Sequence, residues 1–307
     1  MVKIGFVGAG NVGATAALYA AQKELGDIAL IDVVDGIPQG KGLDMLEAGP
    51  VLGFDSAIVG SNDFADLENA DLVVVTAGLA RKPGMDRLDL LKKNAEIITS
   101  VTENIMKYAP EAQILMVSNP LDVMTYVALK VSGYGRQRVY GQAGVLDCAR
   151  YRSFVAMELG VSMEDTQAII LGGHGDTMVP IPRYTTVSGI PITELLPQTA
   201  IDQIVRRTQD GGAEIVNYLK TGSAYYAPAA SVIQMVESVL KGKNRVLPAS
   251  VMLEGEYGLR DVCVGVPVKL GSGGIEKVIE LKLSDEELAA LHASASVYQE
   301  SLDELGI

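Results

Sequence analysis

The sequence predicts an α/β fold, a doubly wound parallel sheet at the N-terminus followed by an α+β domain. Two observations carry most of this. Through the first 141 residues, short aliphatic runs alternate with segments of helical period, the pattern of a parallel sheet covered by helices on both faces. The hydrophobic fraction of 48% comes mainly from Ala, Val, Leu and Ile, with no Trp and four Phe, as strands buried on both faces require.

In chain order, residues 3–7 read as a buried strand and 12–24 as a helix. Strand 28–31, helix 39–48, strand 72–75, helix 88–108, strand 114–117, helix 121–131 and strand 139–141 follow. Beyond Asp147 the alternation stops. A helix at 147–159 precedes a strand at 166–171 and a β-rich stretch that includes 178–187; helices come around 200–219 and 229–240. Strands at 245–253, 261–269 and 274–281 form a meander. Ser284-Asp285-Glu286-Glu287 opens the last helix as a capping box, in which Ser and Glu each satisfy a free backbone donor of the other. The change of pattern places a domain boundary near Gly141, dividing the chain into residues 1–141 and 142–307. A chain of 307 residues suits two domains of about 150 residues each. It buries roughly three quarters of its unfolded surface and needs neither disulfides nor metals for stability.

The 25 basic and 38 acidic residues leave a net charge of −13 with no basic block, which argues against nucleic acid or an anionic membrane as partner. Mean hydropathy is high at +0.24, yet no uninterrupted apolar run approaches the ~18 residues of a membrane span. The first strand begins almost at once, with no secretory leader before it. Cys148 and Cys263 have neither metal nor redox spacing. The expectation is a cytoplasmic protein without a metal site.

Gly8-Ala9-Gly10-Asn11-Val12-Gly13 is a G-x-G-x-x-G directly between a buried strand and a helix. The first Gly allows the tight turn, the second a close approach of backbone to pyrophosphate, and the third close helix–strand packing. The helix N-terminus supplies aligned N–H donors, so Gly8, Gly10, Asn11, Val12 and Gly13 form a phosphate cradle of Rossmann type. Nineteen residues past Gly13, Asp32 ends the second strand, where a carboxylate accepts hydrogen bonds from a ribose diol and repels a 2′-phosphate. Val33 and Val34 offer no Arg to attract one, which favours NAD over NADP.

Only two histidines are present, so imidazole chemistry has two candidates. His174 lies in Gly172-Gly173-His174-Gly175-Asp176, where flanking glycines let the backbone turn and leave the ring accessible. His292, mid-helix in Leu291-His292-Ala293, reads as an ordinary packed or solvated side chain. Asp147 and Arg150, spaced i and i+3, share one helix face. Either they form a surface ion pair of little value, or Asp147 orients a histidine while Arg150 grips a carboxylate with two prongs. Arg81, Lys82 and Arg87 place three cations within seven residues of a loop leaving a strand's carboxyl end, where open α/β sheets bind ligands. Pro83 and Gly84 suggest that the loop closes like a lid. In Ser118-Asn119-Pro120, Asn119 is either a turn former or a donor to a ribose or substrate oxygen.

Taken together, GAGNVG (8–13), LID (30–32), AGLARKPGMDR (77–87), SNP (118–120), LDCAR (146–150) and GGHGD (172–176) resemble the lactate/malate dehydrogenase family, in family order over essentially the whole chain. The resemblance implies that His174 exchanges a proton with the substrate oxygen while Asp147 holds its imidazole. It implies that Arg150 binds the C1 carboxylate, Arg87 polarises the carbonyl, and Asn119 helps to fix substrate and cofactor. Thr76, Ala77, Gly78, Asn94, Val117 and Asn119 are the further cofactor contacts it implies. Arg81 stands where the lactate branch carries a neutral Gln facing the far end of the substrate, and its charge matches a second carboxylate. Met85 departs from the acidic residue of the lactate branch, and Ser223 and Ala224 stand where that branch usually has a Thr. The expected activity is therefore NAD-dependent interconversion of (S)-malate, a small dicarboxylate, and oxaloacetate. An L-lactate or broader 2-hydroxy-acid dehydrogenase is the alternative. An NAD-dependent glycosidase of related fold would need a metal site that no His and Cys is placed to build, and a non-enzymatic NAD sensor would not need the full set of His174, Asp147, Arg150 and Arg87. A homotetramer is the assembly the resemblance implies, with a dimer as the alternative.

Overall fold

Strands of three to five mainly apolar residues, each followed by a turn, build the first half of the protein. A computed structural model describes residues 2–79 and 86–307. Its first half runs β1 (Lys3–Val7), α1 (Asn11–Gln22), β2 (Asp27–Ile31), α2 (Ile37–Leu52), β3 (Ile58–Ser61), β4 (Leu72–Val75), α3 (Arg87–Tyr108), β5 (Gln113–Met116), α4 (Leu121–Ser132) and β6 (Val139–Gly141). The second half runs α5 (Gly144–Leu159), β7 (Thr166–Gln167), β8 (Ile170–Leu171), β9 (Val179–Pro180), β10 (Thr186–Val187), β11 (Ile190–Pro191), α6 (Ile192–Leu195) and α7 (Gln198–Leu219). It ends with α8 (Tyr226–Leu240), β12 (Arg245–Glu254), β13 (Arg260–Gly271), β14 (Gly274–Val278) and α9 (Asp285–Leu305).

The main sheet has nine strands in the order β14-β13-β12-β6-β5-β4-β1-β2-β3. Strands β1 to β6 pair parallel, and the order reverses between β1 and β4, so a crevice opens at their carboxyl ends where ligands bind in such sheets. The strand interiors are wholly apolar, and each face is covered. Phe6, Leu30, Leu72 and Val74 lie in a core that includes residues of α1 and α8, and Val7, Val73, Val75 and Ile114 in one that includes residues of α3, α4 and α9.

Among the differences from the predicted elements, three are decided by strand pairing. The edge strand β3 carries no clear apolar signal, because Val59 is half exposed and only pairing with β2 makes the segment a strand. The strand expected at 166–171 is two short ones: β7 pairs with β10, and β8 with β9. The meander of the second half joins the parallel sheet, with Ser250 of β12 opposite Gly141 of β6. Long-range pairing decides each of these, and local pattern cannot encode it.

At α9 the capping box is formed: Glu287 N–H donates to Ser284 Oγ at 3.2 Å, and Ser284 N–H donates to Glu287 Oε2 at 2.8 Å. Ser284→Ala is expected to cost about 1 kcal/mol, read as a lower urea midpoint at unchanged m-value. An unchanged midpoint would show that the cap contributes nothing to the cooperative unit.

Candidate active site

The turn from β1 into α1 is shaped by close approach. A Cβ on Gly13 would collide with the Gly8 carbonyl, so only glycine lets α1 start this near the strand. Thr76 Oγ1 donates to Gly8 O at 3.0 Å and steadies the turn from β4. On the outer side a Cβ at Gly10 would meet nothing within 4 Å. Gly10 caps α1 without a side-chain hydrogen bond, and no acidic residue occupies the first turn. The result is an open concavity of backbone donors at the positive end of a helix, suited to a dinucleotide phosphate.

Asp32, at the end of β2, accepts from Ala9 N–H at 2.6 Å and from Val34 N–H at 3.0 Å. It thereby ties the glycine turn to the end of β2. Lys41 of α2 donates to Ala9 O at 2.7 Å, a cation at the turn that no motif signals because it comes from a neighbouring helix. Of the other expected cofactor contacts, Ala77, Gly78 and Val117 lie just beyond β4 and β5. Asn94 is buried, and its amide is committed to the backbone. It accepts from Leu79 N–H at 2.8 Å and donates to Asn119 O at 2.9 Å, so it holds two strand-end loops together.

The second group forms around His174, on the loop after β8. A Cβ on Gly173 would run into the Tyr298 ring, which is why the loop can lie so close on α9. Tyr298 OH donates to His174 O at 3.2 Å, and Gly173 N–H donates to Ser294 Oγ at 2.9 Å. The imidazole Nδ1 lies 3.1 Å from Asp147 Oδ2, with Asp147 only 2% exposed and His174 19%. That contact fixes the tautomer with the proton on Nδ1, leaving Nε2 as the working nitrogen. Among the described residues no protein group hydrogen-bonds Nε2.

Burial is the largest single influence on the imidazole and opposes its charge. The charge of Asp147, its hydrogen bond and the charge of Asp122 together outweigh burial, so His174 titrates above the ordinary histidine range. Asp122, in the first turn of α4, belongs to no chemistry-bearing motif considered from sequence. It is fully buried, accepts from His174 N–H at 2.9 Å and from Ser250 Oγ at 2.7 Å, and burial pushes its carboxyl up to about 6 against both bonds.

Arg150 Nη1 lies 3.7 Å from Asp147 Oδ1, too far for a hydrogen bond. Neither Arg150 Nε nor Asp147 Oδ1 has a hydrogen-bond partner among the described residues. A buried guanidinium with an unpartnered N–H is expensive to maintain unless an anion completes it. The geometry holds parts of both sequence alternatives: Asp147 Oδ2 reaches the histidine while its Oδ1 keeps Arg150 in an ion pair along the helix, and Arg150 Nε has no hydrogen-bond partner among the described residues. Arg87 is the exposed first residue of α3, behind the Asp86 cap, and the Asn119 side chain is exposed after β5. Among the described residues no hydrogen bond or ion pair joins either side chain to the His174 group. Arg81, Met85 and the rest of the proposed lid at 80–85 lie outside the described residues. His292 Nε2 bonds Tyr257 O at 2.7 Å, a packing role. Cys148 and Cys263 are buried and form no disulfide, and burial pushes the Cys148 thiol up to about 12.

Residues 2–141 match the model of the lactate/malate dehydrogenase NAD-binding domain, and residues 144–305 that of the family's α/β C-terminal domain. The chain belongs to the lactate/malate dehydrogenase family. A malate dehydrogenase of Chlorobium limicola is 60% identical over 305 residues, covering 99% of this chain and 98% of that one. The solved malate dehydrogenase of Salinibacter ruber superposes with a TM-score of 0.95 at 49% identity, covering 99% and 98% of the two chains. That of Plasmodium falciparum in complex with NADH gives 0.93 at 37%, covering 99% of both. As a lactate/malate dehydrogenase family member the protein is an NAD-dependent oxidoreductase, and the open glycine turn, uncapped helix end and Asp32 described above fit that cofactor.

Proposed function

We propose that the protein is a malate dehydrogenase, oxidising (S)-malate reversibly to oxaloacetate with NAD. The observation that carries this reading is the Asp147–His174 contact with the Arg150 guanidinium one helical turn along, whose Nε has no hydrogen-bond partner among the described residues. When bound, NAD supplies the acceptor for the hydride leaving C2. Arg150 binds the C1 carboxylate, its planar fork matching two oxygens. His174 Nε2 takes the hydroxyl proton as the C2–O bond becomes a carbonyl, and Asp147 stabilises the imidazolium so formed. In the reverse direction His174 returns that proton while Arg87 faces the charge growing on oxygen, an interaction stronger in the transition state than in the ground state. Asn119 orients substrate and cofactor, and Arg81 pairs with the distal carboxylate. Residues 1–141 serve the dinucleotide and lend Arg81, Arg87 and Asn119 to the substrate, while 142–307 supply His174, Asp147 and Arg150.

Support for malate over lactate comes from the charge of Arg81 and from the malate dehydrogenases of Chlorobium and Salinibacter. The deciding experiment is a paired assay of NADH oxidation with oxaloacetate and with pyruvate. Oxaloacetate is expected to exceed pyruvate by at least about a hundredfold in kcat/KM. Comparable rates would transfer the protein to the lactate or broader 2-hydroxy-acid reading.

The protein acts in the cytoplasm as a homotetramer. Among the described residues no helix is long and apolar enough to cross a membrane. Leu43, Leu46 and Val51 on α2 and Val216, Tyr218 and Leu219 on α7 are exposed, apolar surface that a second copy would bury.

A further inference from the structure

We propose that Lys41 is a positioning residue for the cofactor: from α2 its ammonium holds the Ala9 carbonyl and so aims a backbone donor of the glycine turn at the pyrophosphate. The inference concerns the dinucleotide and stands apart from the choice between malate and lactate.

Ala9 is gripped at both ends. Its N–H donates to Asp32 Oδ2 at 2.6 Å, and its carbonyl accepts from Lys41 Nζ at 2.7 Å. The peptide joining Ala9 to Gly10 is trans, the one cis bond among the described residues being Asn119–Pro120. In a trans peptide the carbonyl and the N–H point in opposite directions. Holding the carbonyl towards Lys41 therefore fixes Gly10 N–H towards the other side. That N–H has no backbone partner among the described residues, and Gly10 is the N-cap of α1. It lies next to the orphan donors in the first turn of the helix, the group that receives a phosphate.

Packing at one edge of the sheet sets where Lys41 stands. A Cβ on Gly60 of β3 would collide with the Pro38 carbonyl, and one on Gly42 would come within 3.0 Å of Gly60 N. These two glycines let the first turns of α2 lie directly on β3. Asn62, just past β3, donates to Asp32 O at 2.7 Å and to Val34 O at 3.1 Å. The same edge thus positions both the carboxylate and the ammonium that hold Ala9. A plain carbonyl cap needs no charge, yet the cap here is a cation. Lys41 is partly buried, its side chain makes no other hydrogen bond among the described residues, and no ion pair among them includes it. An ammonium on the carbonyl polarises the peptide and strengthens the N–H at its other end, more than a neutral donor does. An anion at that N–H gains from this, and a neutral ligand does not.

Two variants and three ligands test this on the full-length protein. Lys41→Met keeps the apolar stem and removes both charge and bond, whereas Lys41→Arg keeps a charged donor. NADH affinity is read by fluorescence titration, and ADP and adenosine by displacement of NADH; these two competitors differ by the diphosphate alone. Lys41→Met is expected to weaken NADH and ADP by about tenfold, the worth of one hydrogen bond to a charged group, and to leave adenosine within about twofold of the parent. Lys41→Arg is expected to recover most of that loss, because the guanidinium stays charged and can reach the same carbonyl. If Lys41 merely braces the turn, its loss also loosens Asp32, and adenosine weakens as much as ADP; that result would overturn the proposal. So would NADH and ADP bound by Lys41→Met as tightly as by the parent, or an Arg variant no better than the Met one. None of these measurements involves a ketoacid. An enzyme that favours pyruvate would therefore sink the malate reading and leave the role of Lys41 standing.

Discussion

Replacing His174 by Asn is expected to lower turnover with oxaloacetate by about 10²–10⁴-fold, the usual share of a positioned general acid, with NADH binding retained. Asn fills similar space and cannot deliver a proton. No contact of the cradle at Gly8–Gly13 and Asp32 involves His174 among the described residues, so the change is expected to leave it intact. Stopped-flow turnover together with NADH fluorescence titration makes the measurement. Retained turnover would remove His174 from the chemistry, and lost NADH binding would show that the substitution had damaged the fold. In the parent enzyme the proton-carrier role proposed for this residue gives an expected pH dependence of definite sign. Reduction of the ketoacid needs the imidazolium, and His174 titrates above the ordinary 6.5. The reduction rate therefore holds to a pH above that value and falls beyond it. Malate oxidation needs the neutral ring and rises over the same range.

Arg81→Gln carries the second large effect, on selectivity. On the proposed pairing of Arg81 with the distal carboxylate, oxaloacetate brings a second carboxylate to the guanidinium, whereas pyruvate brings a methyl group. Leaving a desolvated charge unpaired costs about 3–5 kcal/mol, or roughly two to three decades in rate constant. Gln withdraws that penalty for pyruvate and withdraws the ion pair for oxaloacetate. The ratio of their kcat/KM values is expected to fall by about two decades, measured by steady-state assay of both ketoacids on parent and variant. An unchanged ratio would show that the loop charge does not select, and would move attention to Ser223 and Ala224 between α7 and α8.

Much of the fold was legible because its determinants are local. The runs KIGFV and LVVV, the helical period of residues 88–108 and the Ser284–Glu287 box each depend on neighbours a few positions away. The strand β3 was not legible, since Ile58-Val59-Gly60-Ser61 becomes a strand through β2 and not through its own pattern. Likewise Asp147–Arg150 spacing left two readings open. Only the position of the histidine loop, reached after two short strands with different partners, shows Asp147 turned to the imidazole.

What the sequence determined by itself was the phosphate turn, its acidic partner, the order of strands and helices in the first half apart from β3, and a candidate imidazole chosen from two. Tertiary structure alone decided that Asp122 and Ser250, 128 positions apart, meet over the His174 backbone, that Asn94 braces two loops, and that Lys41 reaches the glycine turn. The reason is physical: short-range period and turn chemistry are written in adjacent residues, whereas a hydrogen bond between distant segments exists only once sheet order and helix packing have set where each one lies.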